Sequence, residues 1–168
     1  LPGAHVLSPR GDVDERGAYR FFRRRAEGVY DMDDLARATA KMTGFVRAHR
    51  DRVQASRVVG LGYSNGANIL AAVSFAAPGL FTDLVLMHPL IPFAPETHPG
   101  HDATRVLLTA GRRDPICPAP LTEGLATWYA DQGAAVSTWW HEGGHEVPPE
   151  EIAAIETFLA PLRRGTTA

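Results

Sequence analysis

Arg57-Val58-Val59-Gly60-Leu61-Gly62-Tyr63-Ser64-Asn65-Gly66 is the stretch on which the fold turns. Its first half is short, apolar and β-branched, the composition of a buried parallel strand. It runs without a linker into residues 67–77, where Ile69, Leu70, Ala71, Ala72, Val73 and Phe75 leave almost no polar side. A helix that is apolar all round is a buried one, and Pro78-Gly79 ends it. At the junction, Gly62-Tyr63-Ser64-Asn65-Gly66 fits G-x-S-x-G. Between a strand and a helix, that pattern describes a corner so tight that Ser64 takes a strained backbone conformation, its hydroxyl held clear of the sheet. Side chains at Gly62 and Gly66 are expected to collide with the neighbouring helix or strand. The hydroxyl stands at a helix N-terminus, where the backbone N–H of Asn65 can stabilise an oxyanion.

The same alternation extends in both directions. Apolar runs predict strands at 4–8, 83–88, 105–111 and 135–140. A helix from Asp33, capped by Asp33 or Asp34, carries Leu35, Ala38, Met42, Phe45, Val46 and His49 on one stripe. Residues 120–131 align Leu121, Leu125 and Trp128, and residues 150–162 align Ile152, Ile155, Phe158, Leu159 and Leu162. Residues 11–31 show no period and read as a long surface loop, a place where function concentrates. Strands alternating with helices give an α/β domain over 1–168, its parallel sheet covered on both faces. Ligands bind such sheets at the carboxyl ends of the strands.

Those ends carry three reactive side chains. A serine hydroxyl needs a base to become a nucleophile, and the base needs a carboxylate to fix its tautomer and stabilise its cation. Asp114 follows the strand at 105–111, and His145 follows the strand at 135–140. Singly, Ser64 reads as a helix cap, Asp114 as a turn residue and His145 as a loop histidine. At three strand ends, in the order Ser, Asp, His, they read together as one site.

GLGYSNGANI, AGRRDPICP and GGHEV resemble the phospholipase/carboxylesterase branch of the α/β-hydrolases, and within it the small bacterial carboxylesterases associated with quinone and hydroquinone resistance. The likeness covers nearly the whole chain. It implies the α/β-hydrolase fold, with Ser64 as nucleophile, His145 as general base and acid, and Asp114 as its orienting partner. It also implies hydrolysis of small-molecule carboxylic esters or thioesters without cofactor or metal. Dienelactone hydrolases share the architecture but carry cysteine where Ser64 stands. The second oxyanion donor of such enzymes lies on a loop after an earlier strand. No such segment precedes Leu1, so the expectation is a domain lacking its N-terminal strands and that donor.

Other features are secondary. Lys+Arg is 17 and Asp+Glu 19, for a net charge of −2; this argues against nucleic acid or an anionic membrane as principal partner. Arg23-Arg24-Arg25 reads as a solvated run. Cys117 is the single cysteine, so no intrachain disulfide forms. With no signal segment and no long apolar run, a soluble cytoplasmic protein is expected. His141-Glu142-Gly143-Gly144-His145 fits H-E-x-x-H, but the zinc reading requires a helix that two glycines and the following Pro148-Pro149 disfavour. A non-catalytic, hydrolase-like binding protein is the other alternative. Tyr63, His88, Phe21, Phe22 and Cys117 are candidate pocket residues, and the aromatics around Tyr19 are also a candidate homodimer surface. Trp139 and Trp140 read as packing residues, His98 and His101 as a solvated loop pair.

Overall fold

The computed structural model describes residues 3–163. Two small antiparallel hairpins come first: β1 (Val13–Glu15) with β2 (Ala18–Arg20), and β3 (Arg24–Ala26) with β4 (Val29–Tyr30). Then follow α1 (Met32–Val53), β5 (Val59–Tyr63), α2 (Asn65–Ala76), β6 (Asp83–Met87), β7 (Arg105–Gly111), α3 (Ala119–Asp131), β8 (Ala135–His141) and α4 (Pro149–Arg163). The last four strands form one parallel sheet in the order β5-β6-β7-β8. This is the α/β-hydrolase fold.

Burial on both faces explains why β6 and β7 are continuous apolar runs. Leu84, Leu86, Val106 and Leu108 face one core with α1, α2 and α3, while Val85, Met87 and Leu107 meet Ile155 of α4 on the other face. The register brings the carboxyl ends level: Tyr63 pairs with Met87, Met87 with Thr109, and Thr109 with Trp139. The residues that follow those strands therefore emerge along one edge.

Several expectations need correction. Residues 4–8 form no strand and are exposed. A strand is made by its ladder partners, and none of the described residues pairs with this run. The supposed loop at 11–31 holds the two hairpins, whose strands of two or three residues are too short to show a period. Asp31, not Asp33 or Asp34, caps α1, its side chain accepting the Asp34 N–H at 3.1 Å. Asp34 is instead buried, binding the Arg23 N–H at 2.7 Å and the Arg37 guanidinium.

Two helices keep most of their expected inward face (Leu125 and Trp128 in α3; Ile155, Phe158 and Leu159 in α4) but differ at its edge. In α3 the buried positions are Thr122, Leu125 and Tyr129, with Leu121 exposed. In α4, Glu151 and Ile155 are buried and Ile152 is 46% exposed. His101 is buried against Trp128 and Tyr129 rather than solvated. Among the described residues no helix is long and apolar enough to cross a membrane.

Candidate active site

Ser64 sits between β5 and α2 with φ 53° and ψ −117°, a conformation that a residue with a Cβ rarely adopts. Its N–H donates to the Met87 carbonyl at 2.8 Å, and its own carbonyl accepts the Asn68 N–H at 3.0 Å. These bonds hold the strained corner. Gly62 is required by close approach: a Cβ there would lie 2.5 Å from the Gly66 backbone. At Gly66 itself the nearest atom to such a Cβ is a Phe21 ring carbon at 3.9 Å, an ordinary contact, so the expected collision there does not occur. Asn65 opens α2, where first-turn N–H groups have no intrahelical partner. Its side-chain oxygen accepts the Phe21 N–H at 2.8 Å and so ties the residues between the two hairpins to the corner.

The three residues singled out at the strand ends converge. His145 Nε2 lies 3.0 Å from Ser64 Oγ, and His145 Nδ1 lies 2.7 Å from Asp114 Oδ2. Asp114 is buried. Its Oδ1 accepts the Ile116 and Cys117 N–H groups at 2.8 and 3.0 Å. Burial by itself would raise its pKa. The Cys117 N–H, then His145, His88 and the Ile116 N–H, outweigh burial and hold the carboxyl below its ordinary range. It is therefore an acceptor at neutral pH.

The other pocket candidates separate. Tyr63 is partly exposed beside the site, its hydroxyl donating to the His145 carbonyl at 2.7 Å. Phe21 and Tyr63 line a groove of about 930 Å³ along the outer edge of β5, together with residues of α1 and of the 3–9 segment. Three expectations fail. Phe22 is buried in the core, edge-on to Tyr30. Cys117 is buried with its thiol donating to the His88 carbonyl at 3.1 Å, and burial pushes its pKa far up, so it is neither exposed nor nucleophilic. His88 is fully buried behind Asp114 and lines no substrate surface.

H-E-x-x-H does not make a zinc helix. His141 ends β8 and residues 142–145 are bends. His88, His141 and Glu151 do offer one donor atom each within 4.8 Å of one another, as do His88, Asp114 and His145. In the first set, the Gly143 N–H donates to His141 Nδ1 at 3.1 Å. The proton of that imidazole is then on Nε2, which opposes metal ligation there. In the second, His145 is engaged by both Asp114 and Ser64.

The sequence profile described as "Serine hydrolase (FSH1)" matches residues 10–154. The chain belongs to this FSH1 serine hydrolase family. It is 37% identical over 152 residues to "Putative hydrolase MhqD" of Bacillus subtilis (strain 168), covering 89% of this chain and 76% of that one. Among solved structures, Atu2452 from Agrobacterium tumefaciens str. C58, a protein of unknown function, is 58% identical with a TM-score of 0.93, over 96% of this chain and 79% of that one. The Bacillus cereus carboxylesterase is 32% identical with a TM-score of 0.84, over 90% and 73% of the two chains. In this FSH1 hydrolase, Asn68 and Glu151 carried no expectation from the sequence, and Asp34 was expected only as a cap. Asn68 joins the Leu90 N–H to the Tyr30 hydroxyl at 2.7 and 2.9 Å, bracing the loop after β6 against β4. Its visible signal was a polar residue one turn into an otherwise largely apolar helix.

Proposed function

We propose that this hydrolase cleaves small-molecule carboxylic esters through an acyl-enzyme on Ser64. One observation carries the reading: a single imidazole, His145, touches the Ser64 hydroxyl with Nε2 and a buried carboxylate with Nδ1. Asp114 accepts a hydrogen bond from Nδ1–H, which fixes the tautomer and leaves the Nε2 lone pair directed at Ser64 Oγ. As Oγ adds to the ester carbonyl carbon, its proton passes to Nε2 and the carbonyl π pair moves onto oxygen. The Asn65 N–H, in the first turn of α2, is the donor assigned to that oxyanion in this reading. Nε2–H then protonates the departing alkoxide, the C–O bond breaks, and the acyl group remains on Ser64. Water repeats the sequence with His145 as base, releasing the acid and restoring the hydroxyl.

The bent corner supports this assignment, because strain at a non-glycine residue is kept only where the surroundings enforce it. The carboxylesterase described for Bacillus cereus points the same way. The test is Ser64→Ala on the protein acting on a panel of short aryl and alkyl esters. Turnover should fall by at least about 10⁴-fold, covalent labelling by a fluorophosphonate should vanish, and the thermal midpoint should stay near that of the parent. A variant that keeps its turnover removes the mechanism. A parent chain that neither labels nor turns over any ester favours a binding role.

A further inference from the structure

The steps above leave a buried polar cluster behind Asp114 unused. His88 follows β6, the neighbour of the strand that carries Ser64, and its φ is 48°. Four non-glycine residues among those described have positive φ. Arg16 occupies a hairpin turn and Gln54 a helix C-cap; the other two are Ser64 and His88, at the carboxyl ends of adjacent strands. The unfavourable backbone at His88 is held by its N–H on the Thr109 carbonyl at 2.8 Å and by the Cys117 thiol on its own carbonyl.

That backbone aims the imidazole between two acids. Nδ1 lies 3.0 Å from Asp114 Oδ2, and Nε2 lies 3.3 Å from Glu151 Oε2. Both His88 and Glu151 are fully buried. The other Glu151 oxygen accepts the Thr109 hydroxyl at 2.5 Å. An ionised carboxylate only accepts, so a ring facing one at each nitrogen satisfies both by carrying two protons. Burial opposes the charge, and the bonds to Glu151 and then Asp114 overcome it, setting the His88 pKa above 6.5.

We propose that His88, fixed by Glu151 and Thr109, is a positioning residue: a buried imidazolium that anchors Asp114 from behind and thereby sets the pH at which His145 accepts the Ser64 proton. The inference rests on the roles given above to Ser64, His145 and Asp114. Asp114 Oδ2 is shared by two imidazoles, at 3.0 Å from His88 and 2.7 Å from His145, so its orientation does not depend on His145 alone. The cation on His88, whose ring centroid is 5.1 Å from that of His145, opposes a second positive charge on His145. The remaining groups facing His88 are His141, Tyr63, Cys117 and, at longer range, Glu146. Burial raises the pKa of both Tyr63 and Cys117 and leaves them neutral. Asp114 and Glu151 are thus the acids in contact with the cation.

The charge is read directly by imidazole ¹⁵N NMR on the full chain. In the parent, His88 should hold both ring protons to a higher pH than a free imidazole does; in Glu151→Gln, His88 should titrate at lower pH. A neutral His88 in the parent overturns the proposal. Its consequence is read from the pH dependence of fluorophosphonate labelling and of kcat/KM. In His88→Gln the acid limb should move up by about one pH unit and kcat should fall about tenfold with little change in KM. A lower rate with an unmoved acid limb would reduce His88 to packing and sink the idea. If His88→Gln does not fold, Glu151→Gln carries both readouts, with the same upward shift expected. Absence of ester turnover alongside a doubly protonated His88 and an intact labelling shift overturns the ester assignment and leaves this one standing.

Discussion

Gly111 lacks a side chain because the Gly144 carbonyl occupies the place of its Cβ, with the Gly143 carbonyl at 2.6 Å. That contact brings the turn carrying Asp114 against the bends carrying His145. The Arg112 and Arg113 N–H groups complete it by donating to the His141 and Gly143 carbonyls at 2.8 and 2.9 Å. Two loops three and four residues beyond their strands therefore hold a 2.7 Å hydrogen bond. Gly111→Ala should push them apart. A displacement near 1 Å costs about 100-fold in rate, so kcat should fall by about that factor while KM changes little. Overpacking against backbone should also lower stability by about 1–3 kcal/mol. Steady-state kinetics on the folded variant with a soluble aryl ester checks it, and unchanged kcat would show that the loops adjust.

At the level of elements, the sequence was informative wherever one segment's pattern was self-sufficient. β7 spans the predicted residues 105–111, and the corner at Ser64 was visible because strand, motif and helix are contiguous. Asp114 and His145 were visible because they follow strands whose ends the ladder brings level. The run at 4–8 looked like those strands, but a strand also needs a partner, which local pattern does not report. Glu151 was hidden for a different reason: an acid in a helix's first turn reads as an exposed complement to the dipole, and only the docking of α4 on β7 and β8 reveals it facing His88. The true inward stripe runs through Glu151, Ile155, Phe158 and Leu159. Urea unfolding distinguishes this from the stripe expected earlier. Ile155→Ala should cost about 2–4 kcal/mol by cavity formation, and Ile152→Ala under about 0.5 kcal/mol. Equal losses would put Ile152 on the inward face as well.

For the molecule as a whole, two buried histidines pull stability in opposite directions with pH. His88 has its pKa raised above 6.5, so its contribution is complete in acid and fades as pH rises through the folded value. His101 is the reverse. Burial against Trp128 and Tyr129 lowers its pKa, with Asp102 opposing the shift, and neither ring nitrogen has a hydrogen-bond partner among the described residues. Above about 6.5 it is neutral folded or unfolded; below that the unfolded chain takes up a proton that the folded one resists, and stability falls. Neither effect follows from the net charge of −2, because both depend on what surrounds one ring. His101→Phe keeps a ring on Trp128 and removes the titration. Its thermal midpoint should therefore drop less than the parent's between about pH 7 and pH 5. All other groups are common to the two proteins, so the difference between the curves isolates His101. Parallel curves would mean that the buried imidazole accepts its proton without resistance, and the acid sensitivity would have to be sought among the carboxylates instead, Asp114 first.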